Sequence, residues 1–237
     1  MLFDAHCHLE SFANPERIVS KDMLYCTSGH THAANVKNVA IAEGKANVAV
    51  CIGIAPQEAM KGGEFAKEIA FVRENAEKGK IDAIGEIGLD YHWARKPEEQ
   101  ENQRKIYGKQ IQLALKSDLP IVIHGRDDEG ECVRALEKFG VKKAMLHCYT
   151  GDEETAAKAV SLGYLISISP FKSKEKVKVI KRVGLKYLVV ESDAPGIGKV
   201  PQDTMASVEI IAGALGISRE EVIGETCANA KRFFAME

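Results

Sequence analysis

Residues 120–149 read PIVIHGRDDEGECVRALEKFGVKKAMLHCY. Two short apolar, β-branched runs, PIVIHG and KAMLHCY, flank a segment of helical period, GECVRALEKFG, whose closing Gly140 is placed as a C-cap. Near-continuous apolar strands joined by a crossover helix belong to a parallel sheet covered by helices. Each strand also carries a histidine at its end, His124 and His147, where burial without a partner is costly.

The same alternation extends in both directions. Six further strand-like runs are LFDAHCH, MLYCTS, NVAVCIGI, IDAIGEIG, YLISIS and YLVVESD, which brings the count to eight. The clearest helical segments between the runs are THAANVKNVAIAEG, EFAKEIAFVRENAEKG, PEEQENQRKIYGKQIQLALKSD, DEETAAKAVSLG and KSKEKVKVIKRVG. Eight such units predict an α/β fold of the (β/α)8 TIM barrel type, closed or distorted, with chemistry at the C-terminal strand ends, rather than an open doubly wound sheet. Two helical segments follow the last strand, the second opening on a capping box at Ser218 and Glu221, and are expected to complete the outer layer. No linker or low-complexity stretch interrupts the chain, so residues 1–237 read as a single domain.

A chain of 237 residues, 45% hydrophobic and 28% charged, can bury a large core. Its net charge of −2 gives no broad positive field, which argues against a tight, non-specific binder of long nucleic acid. The six cysteines are dispersed without a C-x-x-C pair and read as buried free thiols in a reducing compartment. With no apolar stretch of membrane-span length, and a first strand beginning at residue 2, the expected location is the cytoplasm, with no membrane contact.

The opening MLFDAHCHLE concentrates Asp4, His6 and His8 on alternate positions, which share a face only on an extended strand. Phe3, Ala5 and Cys7 would then pack beneath a helix layer. Core histidines satisfied by nearby carbonyls are the plain alternative, but two on one face beside an acid favour metal ligation. The other strand ends repeat the theme: Glu86 follows IDAIG, His124 follows PIVI, His147 follows KAML and Asp193 follows YLVVES. Four histidines, one Glu and one Asp form an N/O donor set suited to first-row divalent ions. Six donors exceed one tetrahedral site, so a two-metal centre with a bridging carboxylate is expected.

In this order, the motifs DAHCHL, GEIGLDYHW, VIHGRD, LHCYTG and ESDAP resemble the TatD family of metal-dependent hydrolases and deoxyribonucleases within the amidohydrolase superfamily, and the resemblance runs from Asp4 to NAKRFF. It implies two divalent ions (Zn, Mn or Mg). His6, His8, Glu86 and Asp193 would hold one, and the bridging Glu86 with His124 and His147 the second. Asp193 would also be the catalytic base. Asp4 is expected behind the ligands, orienting a histidine, and Ser192 is expected to matter little.

Around this centre, Arg126 is a candidate clamp for a phosphate or carboxylate, its alternative being a surface ion pair with Asp127 or Asp128. Tyr91, His92 and Trp93 are candidates for the substrate wall, Trp93 otherwise covering the barrel mouth. His30 and His32 of GHTH have no acid beside them and are not expected to ligate. The run KSKEKVKVIKRVGLK carries seven Lys or Arg against one Glu, with Val177, Val179, Ile180 and Val183 spaced for a buried face; its charges are read as solvated, except that Lys172 and Lys174 are close enough to the strand end to reach a phosphate.

Two departures from the family pattern bear on substrate. GIAP places Ala55 where relatives usually carry a histidine, and the loop after ESDAP, GIGKVPQDT, is short and lacks their basic stretch. The expected activity is phosphodiester hydrolysis, on single strands or nucleic acid ends or on a small phosphodiester. The alternatives are C–N or lactone hydrolysis of a small molecule and a non-catalytic metal-binding barrel. No protein partner is indicated, and the chain is expected as a monomer or small homo-oligomer.

Overall fold

The computed structural model describes all residues, 1–237. Its eight strands are β1 (Leu2–Cys7), β2 (Met23–Gly29), β3 (Val48–Ile52), β4 (Ala83–Asp90), β5 (Ile121–Arg126), β6 (Ala144–His147), β7 (Leu165–Ile168) and β8 (Leu188–Val190). They pair in parallel in sequence order, and helices alternate with them, giving the expected (β/α)8 barrel. No helix is long and apolar enough to cross a membrane.

Two apolar layers result from strand alternation. Val50, Ile52, Ile84, Ile121, Ile123, Leu146 and Ile166 pack outward against buried helix residues such as Ile111, Leu136 and Ile180. The inner layer includes Phe3, Ala5, Cys26, Cys51, Val122, Met145 and Val189, with the half-buried Leu165 of β7 packed against it. The C-terminal helix Arg219–Phe234 does more than complete the outer layer. Phe233 and Phe234 join the inner cluster, Phe234 stacking on Phe3 with ring centroids 5.7 Å apart, and so plug the barrel beneath β1.

The first strand is not regular. Asp4 faces Tyr25 and Cys7 faces Thr27, so β1 carries one extra residue between them. The bulge breaks the alternation expected of the opening motif. Phe3 and Ala5 point into the barrel, whereas Cys7 packs with Leu9, Tyr25 and Val48 outside that cluster.

The seam between β1 and β8 is tied at the C-terminal end. Ser192 N–H donates to Asp4 Oδ1 at 2.8 Å, Asp193 N–H to His6 O at 2.9 Å, and His8 N–H to Ala194 O at 2.8 Å. These bonds lock the first strand to the segment after the last one, where the ionisable residues meet. A second close approach lies opposite: at Gly88, φ +145°, an added Cβ would stand 2.0 Å from His124 O, so β4 can pass the His124 shelf only as glycine.

Candidate metal centre

His6 and His8 come from the end of β1, Glu86 from β4, His124 from β5, His147 from the last position of β6, and Asp193 from the turn after β8. The barrel brings all six together. Glu86 Oε2 lies 3.0 Å from His147 Nε2, 3.5 Å from His124 Nδ1 and 3.8 Å from His6 Nε2. Asp193 Oδ1 lies 3.3 Å from His8 Nε2 and 3.8 Å from His6 Nε2. The donors thus form two groups, His6–His8–Asp193 and Glu86–His124–His147, with Glu86 reaching across to His6.

The far side of each ring determines which nitrogen faces inward. His8 Nδ1–H donates to Ser28 O at 2.8 Å, and His6 Nδ1 bonds Ser28 Oγ at 3.1 Å. Asp90 Oδ2 holds His124 Nε2 at 2.9 Å, and Gln57 Nε2 donates to the same oxygen at 3.0 Å. Glu191 Oε1 stands 3.7 Å from His147 Nδ1 and accepts from Cys148 N–H at 2.6 Å. Asp90 and Glu191 are fully buried carboxylates that the reading of motifs did not single out. The signal was present, since each closes or follows an apolar run and a buried charge there needs a partner.

The donor set fits a cation on an internal test. His6 is fully buried and its Nε2 has no hydrogen-bond partner, although orphaned buried nitrogens are costly. Burial, followed by repulsion from neighbouring His147, holds His6 well below the usual imidazole range and therefore neutral, the form that ligates metals. Burial raises the Glu86 carboxyl, but bonds from His124 and His147 outweigh it and hold the group well below its ordinary value, as a carboxylate.

Asp4 behaves differently from its expected role. Its carboxylate bonds no histidine ring; it accepts from Ser192 N–H and from Ser192 Oγ–H at 2.5 Å. Because the β1 bulge separates it from the face of His6, it anchors the segment that carries Asp193. Ser192, expected to matter little, is the other half of that anchor, its Oγ also accepting from Ala194 N–H. Asp193 itself sits at φ +48°, a left-handed backbone sustained by these ties.

A cavity of about 360 Å³ opens beside the centre, lined by His124, Arg126, His147, Asp193, Phe171 and Ile197 among others. Arg126 is exposed and has no carboxylate partner: Asp127 faces His92 at 3.5 Å and Asp128 pairs with Arg134 at 3.6 Å. His92 and Trp93 stand on the rim, outside the cavity lining, Trp93 being 57% exposed. The short loop after Asp193 supplies Gly196 and Ile197 as an apolar wall, and Ala55 is buried at the N-cap of the short helix Pro56–Ala59. Lys172 and Lys174, read as close enough to reach a phosphate, are exposed beside Phe171 and outside the cavity lining, and Lys176, read as solvated, is buried. Its Nζ donates to Ser169 O and Oγ behind Cys148, and burial lowers the amine to about 8.

Comparison with known proteins agrees with this construction. The family model described as TatD related DNase matches residues 3–235. Among curated relatives, human deoxyribonuclease TATDN3 is 29% identical across 98% of this chain and 94% of its own length, and the Bacillus subtilis protein YabD, described as an uncharacterised metal-dependent hydrolase, is 29% identical across 99% of both. The crystal structure of YjjV, a TatD homologue from Escherichia coli, superposes with a TM-score of 0.88 over 100% of this chain and 98% of its own at 20% identity, a likeness of fold. Matched over nearly its whole length, the chain belongs to the TatD family of metal-dependent hydrolases.

Proposed function

We propose that the protein is a two-metal phosphodiesterase, a deoxyribonuclease acting on single strands or ends. The observation that carries this reading is an unpartnered Arg126 lining the same cavity as Asp193, His124 and His147. In this reading His6, His8 and Asp193 would hold one divalent ion and His124 and His147 the other, with Glu86 shared between the two groups. Ions bound there supply an activated water at neutral pH and polarise the scissile oxygen. The guanidinium of Arg126 grips a phosphate oxygen as a planar fork. Asp193 directs Oδ1 at the histidines and keeps Oδ2 on the Gly196 side, towards the cavity, where it takes the proton of the attacking water. Phe171 and Ile197 form the apolar wall against which a base or sugar rests, while Trp93 and His92 extend that surface at the rim.

The test is a screen with Mg²⁺, Mn²⁺ or Zn²⁺ of labelled single-stranded and duplex DNA, bis(p-nitrophenyl) phosphate, N-acyl amino acids and lactones. Metal-dependent trimming of single strands is expected, abolished by chelator and weakened by salt and by Arg126→Ala. A second reading, C–N or lactone hydrolysis, draws on the apolar wall at Ile197 and on Ala55, which brings no polar group to the site. Turnover of an amide or lactone with no phosphodiester cleavage under any metal establishes it instead.

The partner of His124 gives a further expectation. Asp90→Asn keeps the shape but removes the charge that fixes the ring, and affinity for the ion on the His124–His147 side should fall about 10–100-fold. Calorimetric metal titration measures this, and an unchanged second affinity would show that Asp90 does not orient the ligand.

A further inference from the structure

GHTH lacks an adjacent acid in the sequence, but the fold supplies one. Glu10 lies on the short turn Leu9–Ser11 that follows β1, and its Oε1 stands 3.7 Å from His30 Nδ1 at the end of the neighbouring strand. The Glu10 side chain is only 4% exposed, its Oε2 has no partner, and no lysine or arginine pairs with it. Ser11 Oγ–H reaches Oε1 at 3.3 Å, the only hydrogen bond to the carboxylate. A buried carboxylate with one orphaned oxygen and no lysine or arginine beside it is suited to holding a cation.

His8 Nδ1 is 3.8 Å from the same Oε1 but cannot ligate, because its proton is donated to Ser28 O at 2.8 Å and its lone pair is on Nε2, facing Asp193. His30 is free to do so. It is 46% exposed, edge-on to the His8 ring at 5.4 Å between centroids. We propose that Glu10 and His30 form a third divalent-cation site, separated from the main centre by the His8 ring. One carboxylate oxygen and one imidazole nitrogen select Mn²⁺ or Zn²⁺ over Mg²⁺ or Ca²⁺. With only two protein ligands the site binds more weakly than the main centre, and its remaining positions are open to water or to oxygens of a bound molecule.

Protein preloaded with its tightly held metal is titrated with Mn²⁺, bound and free ion being separated by equilibrium dialysis and counted by electron paramagnetic resonance. An additional, weaker equivalent is expected in wild type. Glu10→Gln and His30→Ala should each weaken it at least about tenfold while the tightly held ions are retained, and that retention reports an intact barrel. Should the main centre hold one ion rather than two, the total falls by one, but the equivalent lost in His30→Ala still identifies the site. Absence of the extra equivalent in wild type, or its persistence unchanged in both variants, overturns the proposal.

Discussion

Glu86→Gln is expected to lose metal from both positions and turnover with it. Only Glu86 Oε2 lies within 4 Å of a nitrogen on each side, at 3.0 and 3.5 Å from His147 and His124 and at 3.8 Å from His6. An amide in its place removes the anionic oxygen between the two donor groups. It also turns N–H donors towards nitrogens that must remain unprotonated to ligate. The loss should therefore exceed the roughly 10–100-fold typical of a supporting residue such as Asp90. His147→Ala removes a donor from one group alone and should empty mainly one position. Metal analysis by mass spectrometry after dialysis distinguishes the patterns: both equivalents lost in Glu86→Gln, one in His147→Ala. Equal metal content and affinity in wild type and Glu86→Gln would dismiss the bridged arrangement.

The convergence of the six side chains is legible in the sequence because each sits in, or directly after, an apolar strand-like run, where the fold leaves few alternatives for an ionisable residue. Parallel strands aligned by crossover helices bring such positions to one end of a barrel whatever the intervening sequence. What escaped depended on contacts between segments distant in the chain. The period-2 rule predicted a shared face for Asp4, His6 and His8, but the extra residue between Asp4 and Cys7 redirects Asp4 to Ser192, 188 positions away. Glu10 was invisible as a partner of His30 for the same reason. Charge patterning places Lys176 on a solvated helix face, yet the first turn of helix Lys174–Val183 directs it under Cys148, where Ser169 satisfies it. Helical period predicts which side of a helix is wet only while that side faces solvent, and at the strand ends of a barrel it does not.

That long-range anchor also sets the expectation for Asp193, the base in the proposed reaction. Asp193→Asn is nearly isosteric, so the turn should survive: Asp193 N–H still donates to His6 O, and Ser192 still joins Asp4. What it removes is the oxygen proposed to accept the proton, and general-base assistance is worth about 10²–10⁴-fold in rate. The fall is expected in kcat, with KM little changed, because proton acceptance occurs in the transition state rather than in substrate binding. Ser192→Ala serves as the contrasting variant. It strips the hydroxyl from a fully buried carboxylate, a loss of about 1–3 kcal/mol in stability. Its thermal midpoint should therefore drop while the metal-saturated enzyme keeps most of its kcat at low temperature. A kcat for Asp193→Asn within a few-fold of wild type at saturating metal would place the base elsewhere. His92 would be a poor substitute, since it stands outside the cavity lining with Nδ1 turned to Asp127 at 3.5 Å.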